Sequence, residues 1–137
     1  MIGTADQDAF INSSKWAVVT TLRKDGSPTS SVIFFARDGD ELLFSTTEDR
    51  LKTKTVDNDP RMAICVLDDG APHGYVTVEG PATVQRDNVI EAHKLILKVM
   101  RGPDAEPPEG YAERLEKERR LIIRLKAERV SGVVNRP

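Results

Sequence analysis

Ser45-Thr46-Thr47-Glu48-Asp49-Arg50-Leu51-Lys52-Thr53-Lys54 gathers hydroxyls, cations and a helix start into one short stretch. The apolar run Leu42-Leu43-Phe44 before it reads as a strand. Residues 48–57 read as a short helix, which Asn58-Asp59-Pro60 ends ahead of another strand. Hydroxyls at a strand end and free N–H groups at a helix N-terminus suit a phosphate, and the positive end of the helix dipole attracts negative charge. Arg50, Lys52 and Lys54 complete a candidate anion site through charge-assisted hydrogen bonds. The same residues also fit a plainer role, an N-capped, solvated helix with a mixed-charge face. Spacing alone leaves both open.

The remaining reactive residue types are few. His73 lies between Pro72 and Gly74, just before Tyr75 enters a strand, where an imidazole beside an aromatic ring either lines a pocket or serves the turn. His93, in Ala92-His93-Lys94 on a predicted helix, reads as a surface or boundary residue. The two histidines are too far apart to make a metal pair, and no metal site is expected. Cys65, within Met62-Ala63-Ile64-Cys65-Val66-Leu67, reads as a small core residue. Asp38, Asp40, Asp68 and Asp69 flank glycines, where their carboxylates serve turns. The chain holds no Gly-rich dinucleotide fingerprint, no Walker loop and no Gly-x-Ser-x-Gly elbow. No catalytic side chain is assigned.

Elements must position these residues, and their pattern is mainly β. Strands are predicted over residues 16–22, 29–36, 41–45, 61–67, 75–85 and 121–127, with a further short strand in the tail at 130–134. Helices are predicted over 5–14, 48–57, 87–101 and 109–119. Asp25-Gly26 marks a tight hairpin, so the first three strands read as an antiparallel meander, and Glu79-Gly80-Pro81 marks a bulge or bend. Together these predict one domain over 1–137, a six-stranded antiparallel barrel with peripheral helices. Val32-Ile33-Phe34-Phe35 is apolar on both faces, which predicts a homodimer that covers the outer one. A balance of 20 basic and 22 acidic residues, net -2, argues against a nucleic-acid partner. No apolar run is long enough to span a bilayer, and no signal-peptide pattern opens the chain, so no membrane association is expected. A single cysteine excludes an internal disulfide and fits a reducing, cytoplasmic setting.

The order of motifs is similar to a known family. Val18-Val19-Thr20-Thr21-Leu22 is followed by Asp25-Gly26-Ser27-Pro28, Leu42-Leu43-Phe44-Ser45-Thr46-Thr47, Arg50-Leu51-Lys52-Thr53, Asn58-Asp59-Pro60-Arg61 and Tyr75-Val76-Thr77-Val78-Glu79-Gly80-Pro81-Ala82. This succession resembles the split β-barrel flavin-binding proteins of the pyridoxamine 5'-phosphate oxidase-like superfamily, over about residues 8–86 and more loosely over 120–132. The C-terminal run Leu121-Ile122-Ile123-Arg124-Leu125-Lys126 lacks the Trp- and His-containing, Arg-rich ending of the true oxidases. Two scattered histidines give little support to the haem-degrading relatives. Arg50-x-Lys52-Thr53 after the third strand looks most like the actinobacterial branch that uses the deazaflavin coenzyme F420.

The resemblance implies an F420H2-dependent reductase that transfers a hydride to a small conjugated or quinone-like substrate. An FMN-binding oxidoreductase of the same fold, or a cofactor carrier without turnover, are its alternatives. On that likeness Arg50 and Lys52 grip the cofactor phosphate, and Ser45, Thr46, Thr47 and Thr53 supply hydroxyl or backbone donors. The likeness also implies that the main chain of Ser31, Val32, Ile33 and Phe34 lies along the ring system. From the position of their loop, His73 and Tyr75, with the dimer partner, are expected to hold the substrate. A cofactor that carries the chemistry also accounts for the poverty of nucleophiles.

Overall fold

The computed structural model describes residues 1–68, 70 and 74–134. Helix α1 (Ala5–Asn12) leads into β1 (Trp16–Leu22), β2 (Pro28–Phe34), β3 (Ala36–Asp38) and β4 (Glu41–Thr47). Helix α2 (Leu51–Asn58), β5 (Arg61–Leu67) and β6 (Tyr75–Gln85) follow, then α3 (Val89–Arg101), α4 (Tyr111–Lys117), β7 (Arg120–Lys126) and β8 (Arg129–Val133). All ladders are antiparallel, in the order β2-β1-β5-β6-β7-β4-β3, with β8 on β6. The mainly β, antiparallel architecture with peripheral helices is the one expected.

Two details differ from expectation. Among the described residues the sheet has eight strands rather than six, and no ladder closes it into a barrel. The predicted meander also fails after its first hairpin. β2 runs into β3 through the single residue Phe35, yet those two strands lie at opposite ends of the path. The sheet therefore curls until its two edges share one covalent corner. Phe35 and Ala36 are consecutive and both buried, 2% exposed each, so the in–out alternation breaks where the chain changes strand. Residues 29–36 look like one strand because an unbroken apolar run hides that break.

The hairpin itself follows its turn chemistry. Asp25 accepts from the Ser27 N–H at 2.9 Å, and Gly26 takes a φ of +87°, where a side chain would be strained. β6 bends as predicted. It pairs with β5 as far as Pro81 and with β7 from Ala82 onward. At the crossing a Cβ on Gly80 would fall 1.8 Å from the Lys126 carbonyl oxygen, so only glycine fits.

Inside the curl lies the main core, which includes Phe35, Phe44, Ile64, Val78 and Leu125. A second cluster forms outside it, where α3 sets Ala92 and Ile96 on Ala36, Leu43 and Ile122. β4 and β7 are thus apolar on both faces: Leu42, Leu43 and Phe44 are buried in succession, as are Leu121, Ile122 and Ile123. Among the described residues no helix covers the outer face of β2, β1, β5 and β6 in this way. Register places Phe34, Trp16, Leu67 and Tyr75 in one outward row, and Val32, Val18 and Cys65 in the next. Val32 is 66% exposed and Trp16 43%. Cys65 is consequently half-buried on this outer face, not a core residue, because Ile64 and Val66 take the inward positions.

Candidate functional site

At the end of β4 the chain turns through Glu48, Asp49 and Arg50 into α2. The Arg50 N–H reaches the Thr47 carbonyl at 3.2 Å, and the Thr53 hydroxyl donates to the same oxygen at 2.8 Å. Thr47 spends its own hydroxyl on Asp49. Arg50 occupies the N-cap position with extended backbone (φ -77°, ψ 148°), and its side chain caps nothing. Arginine lacks the short acceptor that Ser, Thr, Asp or Asn would offer there, so the first-turn N–H groups of α2 keep no side-chain partner. The plain capped-helix reading fails at its cap.

Cations crowd this open helix end. Half-buried Lys52 has its pKa lowered, first by loss of water and then by the neighbouring Arg50 guanidinium. Among the described residues, neither Arg50 nor Lys52 forms a salt bridge. Arg50 and Lys52 thus set two like charges side by side at the helix end, with the Asp49 carboxylate next to Arg50 in the chain.

The helix end opens into a cleft of about 480 Å³ between β2, β4, α3 and α4. Arg101, Arg114 and Arg120 line it as well, and Glu118 is its one acidic residue. Glu118 pairs with Arg120 at 3.1 Å and Arg114 at 3.8 Å, so five cations face one carboxylate in a chain whose net charge is -2. Arg114 also stacks over the Tyr111 ring, 5.1 Å from its centroid.

His93 forms part of the wall, and here the expectation is corrected. It is neither at the surface nor at the boundary but 3% exposed. Its Nδ1 lies 2.8 Å from the Val89 carbonyl oxygen, and its Nε2 lies 2.7 Å from Ser45 Oγ. Burial pushes the imidazole pKa below its ordinary 6.5; Val89 opposes that shift and Arg120 adds to it. Tyr111 meets the ring edge-on, with centroids 6.2 Å apart. The signal for burial is present in the sequence. His93 stands three and four residues before Ile96 and Leu97, on the stripe that α3 turns toward the sheet.

Of the residues singled out from sequence, the cleft brings together Val32, Ile33, Phe34, Ser45, Thr46, Arg50 and Lys52. Ser31 pairs with Val19 in the sheet, outside the cleft lining. Thr47 and Thr53 also stand outside it, and Thr53 is 1% exposed. Tyr75 is three strands from Phe34 along the outward row, about 14 Å at the usual strand spacing. His73 lies outside the described residues. The sequence reading passed over His93, Tyr111, Arg101, Arg114 and Arg120 as site residues. Among the described residues no group of three or more His, Cys, Asp or Glu side chains could hold a metal ion, and no helix is long and apolar enough to cross a membrane.

A cation-rich helix end beside an edge strand, on a curled antiparallel sheet, is the setting of the candidate site. Residues 4–134 match the family described as pyridoxamine 5'-phosphate oxidase, and the chain belongs to that family. Among solved structures it is similar to an F420 reductase, at 26% identity and a TM-score of 0.72, over 90% of this chain and 94% of that one. A conserved hypothetical protein from Mycobacterium tuberculosis shares 21% identity with a TM-score of 0.77, over 96% and 84%. An FAD-binding protein from Mesorhizobium loti shares 18% identity with a TM-score of 0.70, over 96% and 95%. The last two likenesses speak to the fold alone.

Proposed function

We propose that this chain is an oxidoreductase that binds a phosphate-bearing deazaflavin, coenzyme F420, and reduces a small conjugated or quinone-like substrate. The observation that carries the reading is the uncapped start of α2, with Arg50 and Lys52 beside it and neither in a salt bridge among the described residues. That donor set fits a phosphate: guanidinium, ammonium and free N–H groups all point to one charge sign. When bound, the cofactor supplies the hydride chemistry for which the chain has no side chains of its own.

The chain's part is to bind and orient. Arg50 and Lys52 hold the phosphate. β2 ends the strand path, so one side of its backbone has no ladder partner and is free to meet the polar edge of a ring system. The likeness to an F420 reductase supports deazaflavin over FMN. FMN remains the second reading, because the same cradle would accept its phosphate.

We also propose a homodimer. Val32 and Phe34 belong both to the cleft and to the uncovered sheet face, so a second copy seated on that face would border the cleft. Tyr75, exposed on that face, would then be available to hold substrate at the partner's cleft. Anaerobic mixing of the protein with F420H2 and a panel of enones and quinones tests the activity. Loss of the reduced-cofactor absorbance with at least one acceptor is expected. Tight cofactor binding with no turnover of any acceptor would establish a carrier instead.

A further inference from the structure

We propose that His93 is a positioning residue that turns the Ser45 proton away from the cleft, so that Ser45 meets the bound molecule as a hydrogen-bond acceptor only. The Val89 carbonyl oxygen can only accept, so the proton of the imidazole sits on Nδ1, 2.8 Å away. The neutral ring then presents a bare lone pair at Nε2, and the Ser45 hydroxyl 2.7 Å from it must donate. Ser45 has a single proton. Its remaining lone pairs are what it offers to the cleft, which it lines together with His93.

This changes the role expected of Ser45. An acceptor cannot bond a phosphate oxygen that carries no proton, so the phosphate is left to donors such as Arg50, Lys52 and the α2 N–H groups, without Ser45. Opposite Ser45 the cleft selects a ligand group that bears a hydrogen, an O–H or ring N–H. The inference thus rests on the cofactor reading for the identity of the ligand, but not for the direction of the hydrogen bond.

Protonation of His93 reverses the polarity. Both ring nitrogens then donate, Ser45 must accept from Nε2, and its own O–H is released toward the cleft. The groups that face His93 are known from each element packed against α3. β4 brings Ser45, β7 brings Arg120, the end of α4 brings Glu118, and α4 itself brings the Tyr111 ring under Arg114. β3 contributes the methyl group of Ala36 to the same helix face. Arg120 disfavours the imidazolium and Glu118 favours it, while burial disfavours it most.

Two measurements test this. The first needs no ligand: long-range ¹H–¹⁵N correlation of the two histidines at neutral pH, assigned with His93→Gln. A proton on Nδ1 of His93 is the expected result. A proton on Nε2 would make Ser45 the acceptor from histidine and overturn the proposal, whatever the cofactor proves to be. The second uses riboflavin, which has the ring and hydroxyls of FMN without its phosphate, titrated from about pH 8 to about pH 4.5. Wild-type affinity should fall about fivefold through the His93 ionisation, the equilibrium factor of one neutral hydrogen bond. Ser45→Thr should retain that step, and Ser45→Ala and His93→Gln should abolish it. The same pH step in wild type and in His93→Gln would overturn the proposal.

Discussion

The imidazole of His93 is the residue whose ionisation the fold resists most plainly. Its folded pKa lies below the ordinary 6.5, so as pH falls the unfolded chain takes up the proton first. Stability is therefore full above about 6.5 and declines as pH drops from there toward the folded value, below which the loss levels off. Urea unfolding from about pH 7.5 to 4.5 should show this decline in wild type and a flatter one in His93→Gln, whose amide does not titrate. Parallel curves for the two proteins would mean that His93 ionises freely in the native state. Single residues were legible in the sequence where type and spacing meet, as at Arg50 and Lys52. His93 was missed because residue type was weighed without the helical stripe on which it stands. Tyr111, Arg114 and Arg120 carry no local mark, since only the packing of α4 and β7 brings them to the cleft.

At the scale of elements, turns were read well and pairings less well. A turn is written in adjacent residues such as Asp25-Gly26. The return of β3 to the far edge of the sheet depends on a fold-wide curl that no window of sequence contains. The β6 bend offers a direct check on the element that joins the two halves of the sheet. Gly80→Ala would drive a methyl group to 1.8 Å from the Lys126 carbonyl, and backbone on both sides must shift. A cost of about 3 kcal/mol is expected, at the upper end for overpacking. Gly26→Ala, with positive φ but open space, should cost only about 1–2 kcal/mol. Thermal melts of the two variants rank them, and an equal or smaller loss of Tm for Gly80→Ala would refute the close crossing.

For the molecule as a whole, the uncovered row of Phe34, Trp16, Leu67 and Tyr75 is the feature a monomer explains least. The double apolar character of residues 32–35 pointed to it from sequence. Its extent across four strands did not emerge until register was known. Leu67 lies on this face and away from the cleft lining, so Leu67→Glu separates association from cofactor binding. Sedimentation at micromolar concentration should give a dimer for wild type and a monomer for Leu67→Glu. A wild-type monomer would assign the face to another partner. Charge is also organised at this scale, because a chain with net -2 gathers five cations around one cleft.

The phosphate cradle proposed at the start of α2 is tested most directly by an equilibrium titration with F420, followed by cofactor fluorescence. Wild type should saturate with one cofactor per protomer. Arg50→Ala and Lys52→Ala should each weaken binding by about 1.5–3 kcal/mol, the value of a hydrogen bond to a charged group. The unfolding free energy of Arg50→Ala, at an exposed position, should change by less than about 0.5 kcal/mol, and that of Lys52→Ala, at a half-buried one, by less than its loss of binding. Wild-type affinity retained in both variants, or no saturable binding of either F420 or FMN, would contradict the assignment of this cleft.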